Sequence, residues 1–140
     1  QREAGIEVSW LGVPILLTSH TWENGKNEQS HQDPSLAEAL LGEMSDVSRV
    51  VFPPDWNTAL ATLRAVYNSR GQIWAAVVPK RPLPCVFSSD QAEQIVKNGA
   101  VRLKGTGSAD ESLVLTATGA YQLREVMTAS ERLASKGVSH

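Results

Sequence analysis

Three short apolar runs, at residues 13–18, 48–52 and 73–78, decide most of what this chain can fold into. Each is nearly continuous rather than alternating, the pattern of strands covered on both faces of a parallel sheet. The intervals between them carry helical periodicity. Asp33-Pro34 is a helix-start signal, because Asp can accept from the first free amides and Pro suits the first turn. Leu36, Leu40, Leu41 and Met44 then fall on one face of a helix over 34–44. After Pro53-Pro54, Asp55 or Asn57 is expected to cap a second helix running to about residue 69. Leu60, Leu63, Val66 and Tyr67 form its inner stripe and Gly71 its stop. Strand–helix–strand–helix–strand with apolar strands predicts parallel βαβ units with right-handed crossovers, hence an α/β fold.

The rest of the chain is less regular. Residues 6–10 alternate apolar and polar and predict a short strand broken at Leu11-Gly12. The PKRPLP segment at 79–84 cannot continue a sheet, since its prolines remove ladder donors, and it marks a boundary. Beyond it the pattern predicts a helix over 88–97, a short strand over 99–103 and a polar linker over 104–112. A strand over 113–117 and a helix over 120–135 follow, with Leu123, Val126, Met127 and Leu133 inward. The chain opens on Gln1 and stops after a helix where another strand is expected, so it reads as part of a longer protein.

Composition excludes several function classes. A net charge of −2 with no basic run longer than two residues argues against a nucleic-acid or anionic-membrane surface. No apolar run approaches the length of a membrane span, and no secretory leader is visible. The lone Cys85 excludes an internal disulfide, fits a reducing, cytoplasmic setting, and is expected as a small buried residue rather than a nucleophile. Four tryptophans among eight aromatics suggest surfaces covered in a larger assembly.

The candidate site is the polar stretch 17–34, LTSHTWENGKNEQSHQDP. It leaves an apolar strand and contains two of the three histidines, amides, acids and hydroxyls, little of which could enter a core. Open α/β sheets place ligands at such strand ends. Here the residues carry a resemblance. SHTW at 19–22, NEQSHQDP at 27–34, VVFPPDWNT at 50–58, the Lys-x-Pro at 80–82 and DQA at 90–92 occur in the order and spacing of phosphoketolases, which are transketolase-like enzymes. A weaker match from Leu113 resembles the opening of that family's C-terminal domain.

The resemblance implies a transketolase-like fold. Residues 1–80 would be part of a pyrimidine-binding (middle) domain, 81–112 a connector with a short helix and strand, and 113–140 the first βα unit of a C-terminal α/β domain. It implies a thiamine diphosphate-dependent aldehyde-lyase that uses a divalent cation, expected to be Mg, whose ligands and diphosphate site lie outside this chain. The reaction would cleave xylulose 5-phosphate or fructose 6-phosphate with inorganic phosphate, giving acetyl phosphate and an aldose phosphate, in a homodimer or larger assembly. The chain by itself is expected to be inactive.

By motif position His31 resembles the family's catalytic histidine in this loop and Asn27 its substrate-bonding neighbour. Lys80 would hold a substrate phosphate, and His20, Gln32 and Asn24 would support the site; no metal ligand is assigned. From residue chemistry alone, His31 equally suits a helix cap or a polar pocket, and Lys80 a solvated linker. Phosphoketolases carry Arg, Gln or Asn, Asp and His between the Trp and Asn of this loop, where this chain has Glu23, Asn24, Gly25 and Lys26. Glu23 reverses a charge where phosphate would approach, and Lys26 cannot shuttle protons at neutral pH unless its pKa falls. A non-catalytic transketolase-like module with an assembly role, or an unrelated small α/β binding domain, therefore stand as alternatives.

Overall fold

The computed structural model describes residues 4–7, 9–18, 35–105 and 113–140. Its centre is a three-stranded parallel sheet in the order β1-β3-β2, built from β1 (Val13–Leu17), β2 (Ser48–Val51) and β3 (Ile73–Val77). Helix α1 (Ser35–Leu41) lies between β1 and β2 in sequence and packs on β2; α2 (Trp56–Asn68) precedes β3 and packs on β1, β3 and a third helix, α3 (Ser89–Asn98). A last helix, α4, spans Ala120–Ser135. The fold is thus α/β, with the parallel pairing that the three apolar runs require.

Only the strand in the middle is buried as a fully covered strand should be. Trp74, Ala75, Ala76 and Val77 of β3 are all buried. Among the described residues β1 and β2 each pair with β3 alone, and Val13 and Leu16 of β1 stand exposed, so the expectation that every strand is covered on both faces holds, among the described strands, for β3 alone. Pro14 within β1 fits that edge position, where a missing N–H costs no ladder bond.

Several expected elements differ. Residues 6–10 form no strand among those described; Leu11 instead makes an isolated antiparallel bridge with Arg70. Residues 99–103 and 113–117 also form no strand, so α4 lacks the preceding strand of a βα unit. Short apolar runs specify a strand only where a partner offers a free ladder edge. On α2 the buried residues are Thr58, Ala61, Thr62 and Val66, whereas Leu60 and Tyr67 of the expected stripe are exposed. Val66 of the expected stripe is thus buried, and the covered face, otherwise of small side chains, packs against β1, β3 and α3. Helix α1 buries no residue completely, and α4 buries Leu123 and Ser130. Cys85, expected inside, is exposed.

Gly12 shows how tightly β1 meets α2. Its N–H donates to the Ser69 carbonyl (3.0 Å), and the Gly71 N–H returns a bond to the Trp10 carbonyl (3.0 Å). A Cβ at position 12 would collide with the Val66 carbonyl oxygen and Ser69 Oγ. That carbonyl is itself fixed by the Ser69 N–H and Oγ and cannot yield. Gly12→Ala is expected to destabilise the fold by about 1–3 kcal/mol through overpacking, read as a lower urea midpoint at unchanged m-value.

Large apolar side chains remain outside. Leu16 is 60% exposed, Leu41 62%, Met44 60%, Trp56 69% and Tyr67 62%. With both sheet edges unpaired among the described residues as well, the isolated chain is expected to self-associate. Size-exclusion chromatography with light scattering should show mass above that of the monomer; a monodisperse monomer at high concentration would contradict this.

Candidate functional site

The three strands run parallel, so their carboxyl ends lie along one edge of the sheet. β1 ends at Leu17, paired with Val77, and the Val78 N–H donates to the Leu17 carbonyl at 2.9 Å. The chain thus leaves β1 through Thr18 beside the strand whose continuation carries Lys80, and the polar segment 19–34 follows in sequence. His20, Asn24, Asn27, His31 and Gln32, with Glu23 and Lys26, lie outside the described residues. Lys80 is exposed, three residues beyond β3. Of the candidate residues, the described structure places Lys80 alone, and it places it at the edge from which the candidate segment departs.

A second group at this edge comes from the end of β2. There Pro53-Pro54 leads into Asp55, the N-cap of α2, whose backbone is extended and whose side chain is buried. One carboxylate oxygen, Oδ1, accepts from the Thr58 N–H (2.9 Å) and hydroxyl (2.7 Å), while the Asp55 N–H donates to Thr58 Oγ1 (3.0 Å), a capping box. The other oxygen, Oδ2, accepts from the backbone N–H groups of Val86 (2.8 Å) and Phe87 (2.9 Å). Asn57 completes the contact: its side-chain amide donates to the Phe87 carbonyl at 2.7 Å.

Burial by itself would push the Asp55 carboxyl upward. The hydrogen bonds from Phe87, Thr58 and Val86 together outweigh burial and hold it below its ordinary value of 3.8. The sequence predicts Asp55 and Asn57 only as helix-start residues. The cap is as expected; the bond to residues 86 and 87 is additional. A Pro-Pro-Asp-x-Asn start signals the cap, but nothing local signals a partner some thirty residues downstream.

The pinned segment continues at once into α3. Phe87 is buried, and Ser88 caps that helix, accepting from the Gln91 N–H (3.2 Å) while its own N–H donates to Gln91 Oε1 (3.0 Å). Gly99 ends it in the left-handed conformation at φ 80°, which a side chain would strain. An open groove of about 1220 Å³ lies between β2 and α4, lined by Ser48, Val50, Phe52, Leu123, Met127 and Ser130 among others. The third histidine, His140, is bonded through Nε2 to Ser130 Oγ (2.6 Å) and through Nδ1 to the Val138 carbonyl (3.0 Å), which ties the chain after α4 back onto that helix.

Among the described residues, no group of three or more His, Cys, Asp or Glu side chains could hold a metal ion. The described part of the carboxyl edge presents Lys80 and a loop whose far end is bonded to Asp55. Also among the described residues, no helix is long and apolar enough to cross a membrane.

Comparison with known proteins agrees with the motifs. A family model described as D-xylulose 5-phosphate/D-fructose 6-phosphate phosphoketolase matches residues 1–69. A "Probable phosphoketolase" of Streptomyces avermitilis is 34% identical over 134 residues, covering 91% of this chain and 17% of that protein. One from Schizosaccharomyces pombe is 34% identical over 136 residues, covering 92% of this chain and 16% of its own length. "Probable phosphoketolase 1" of Rhizobium meliloti is 38% identical over 90 residues, covering 61% and 11% respectively. The chain thus spans about a sixth of the length of the first two relatives. On the motifs and these matches, the chain belongs to the phosphoketolase family.

Proposed function

We propose that this chain forms part of the substrate crevice of a phosphoketolase of its relatives' length. That enzyme would cleave xylulose 5-phosphate or fructose 6-phosphate with inorganic phosphate, releasing acetyl phosphate and an aldose phosphate. On this reading residues 1–80 belong to a transketolase-like middle domain and residues 113–140 open the next one. Thiamine diphosphate with Mg, held by residues outside this chain between two subunits of a cytoplasmic homodimer, supplies the carbanion sink.

The chain's own residues do the polar work. His31 moves protons, since imidazole titrates near neutrality. Asn27 hydrogen-bonds the substrate, with His20, Asn24 and Gln32 supporting the loop. Lys80 holds a phosphate as a point charge. The observation that supports this reading best is the shared edge: the segment with His31 departs from β1, and Lys80 follows the strand hydrogen-bonded to it.

The test is acetyl phosphate production by the protein of that length from xylulose 5-phosphate and inorganic phosphate. Turnover that requires phosphate supports the proposal. Thiamine diphosphate binding without turnover of either ketose phosphate would replace it with a non-catalytic role, to which the altered residues Glu23 and Lys26 would then be the first suspects.

A further inference from the structure

We propose that Asp55 and Asn57 form a latch that sets the position of the loop carrying Lys80, making Asp55 a positioning residue for the substrate's phosphate group. The inference rests on the reading of Lys80 given above and adds to it a residue that would touch neither substrate nor cofactor.

The loop over 79–85 joins two fixed points. At its start the Val78 N–H is bonded to the Leu17 carbonyl, which ties it to the sheet. At its end the Val86 and Phe87 N–H groups are held by Asp55 Oδ2, and the Phe87 carbonyl by Asn57. The Phe87 side chain is 5% exposed, so burial reinforces the second anchor. Between the anchors, prolines at 79, 82 and 84 fix φ at three of seven positions and leave no route for the loop to join the ladder. The prolines also restrict the residues that precede them, Arg81 and Leu83, so the short span between the two anchors is narrowed and the place of residue 80 is coupled to where residues 86 and 87 are held. Asp55 and Lys80 also follow the carboxyl ends of neighbouring parallel strands, so the latch closes across the same sheet edge that Lys80 occupies.

The two oxygens of Asp55 have separate duties, which makes the latch separable from the helix cap. Oδ1 serves Thr58 and the start of α2; Oδ2 serves residues 86 and 87. Serine is as good an N-cap as aspartate but has one oxygen on a shorter stem. Asp55→Ser therefore keeps α2 started and opens the latch.

The experiment is a double-mutant cycle in the protein of the relatives' length: wild type, Asp55→Ser, Lys80→Ala and the pair, assayed for acetyl phosphate at varied xylulose 5-phosphate. Asp55→Ser is expected to raise KM roughly ten- to hundredfold, the scale of displacing a positioning group by about an ångström, with kcat within about twofold. In the Lys80→Ala background the same change is expected to add nothing, because both act through one contact. Amide exchange should quicken at residues 86 and 87 while β3 stays protected.

Additive KM effects, or a lower melting temperature with KM unmoved, would overturn the latch as a positioning device. An active wild type whose KM ignores Lys80→Ala would overturn it as well, leaving the phosphoketolase reading intact. A wild type that makes no acetyl phosphate would overturn both.

Discussion

Replacing His31 by alanine in the protein of the relatives' length is expected to lower acetyl phosphate formation by on the order of 10²–10⁴-fold, the usual contribution of a positioned general acid or base. The loss should fall on kcat with KM little changed, since proton transfer is a feature of the transition state rather than of the bound substrate. His31→Gln, which can hydrogen-bond but not titrate near neutrality, should fail to rescue. Asn27→Ala should cost less, roughly tenfold, because one neutral hydrogen bond contributes about 0.5–1.5 kcal/mol. Steady-state kinetics of the three variants, with melting temperatures alongside, check this. If His31 only caps the helix that follows it, the melting temperature of His31→Ala will fall and kcat will hold.

The largest expected loss of stability comes from Asp55→Ala. The change leaves the Val86, Phe87 and Thr58 N–H groups without the acceptor they now share, at a buried position. Hydrogen bonds to a charged group contribute roughly 1.5–3 kcal/mol each and an N-cap about 1, but such terms overlap, so a net loss of about 3 kcal/mol is expected. For a chain of this size that is a fall of roughly 10 °C in Tm. Asp55→Ser should lose less, because it retains the cap.

The same carboxylate gives the fold a particular acid sensitivity. Its pKa is lower folded than the ordinary 3.8, so the folded state binds the proton more weakly than the unfolded chain does. The stabilisation is therefore complete above the ordinary value and drains away as pH falls below it, through the depressed folded value. Urea midpoints between about pH 2 and 6 should show the gap between wild type and Asp55→Ala constant at the upper end and shrinking below about pH 4. A gap that does not change with pH would show that Asp55's hydrogen bonds are not charge-assisted.

What the sequence carried was local. The apolar runs gave β1, β2 and β3 to within a residue or two, and parallel, because runs that short with helical intervals between them have few other ways to bury themselves. The start of α2 at Asp55, one of two caps expected there, followed from capping chemistry, and the spans of α3 and α4 from helical patterning, both of which act within a turn or two of chain. Membership of the phosphoketolases was legible in the same way, from blocks such as HQDP and PPDWN whose order is a property of the chain alone.

Tertiary structure decided everything that depends on which distant segments meet. It put β3, last in sequence, in the middle of the sheet, and so left β1 at an edge with Pro14 tolerated. It turned the Thr58, Ala61, Thr62 and Val66 face of α2 inward, keeping Val66 of the stripe that periodicity preferred but leaving Leu60 and Tyr67 outside, because the sheet and α3 together decide which face is covered. It withheld a strand at 113–117, since ladder bonds need a partner and not only apolar residues. And it joined Asp55 to Val86 and Phe87, a bond that no local pattern encodes, because a carboxylate's second oxygen takes whichever amides the fold brings within about 3 Å.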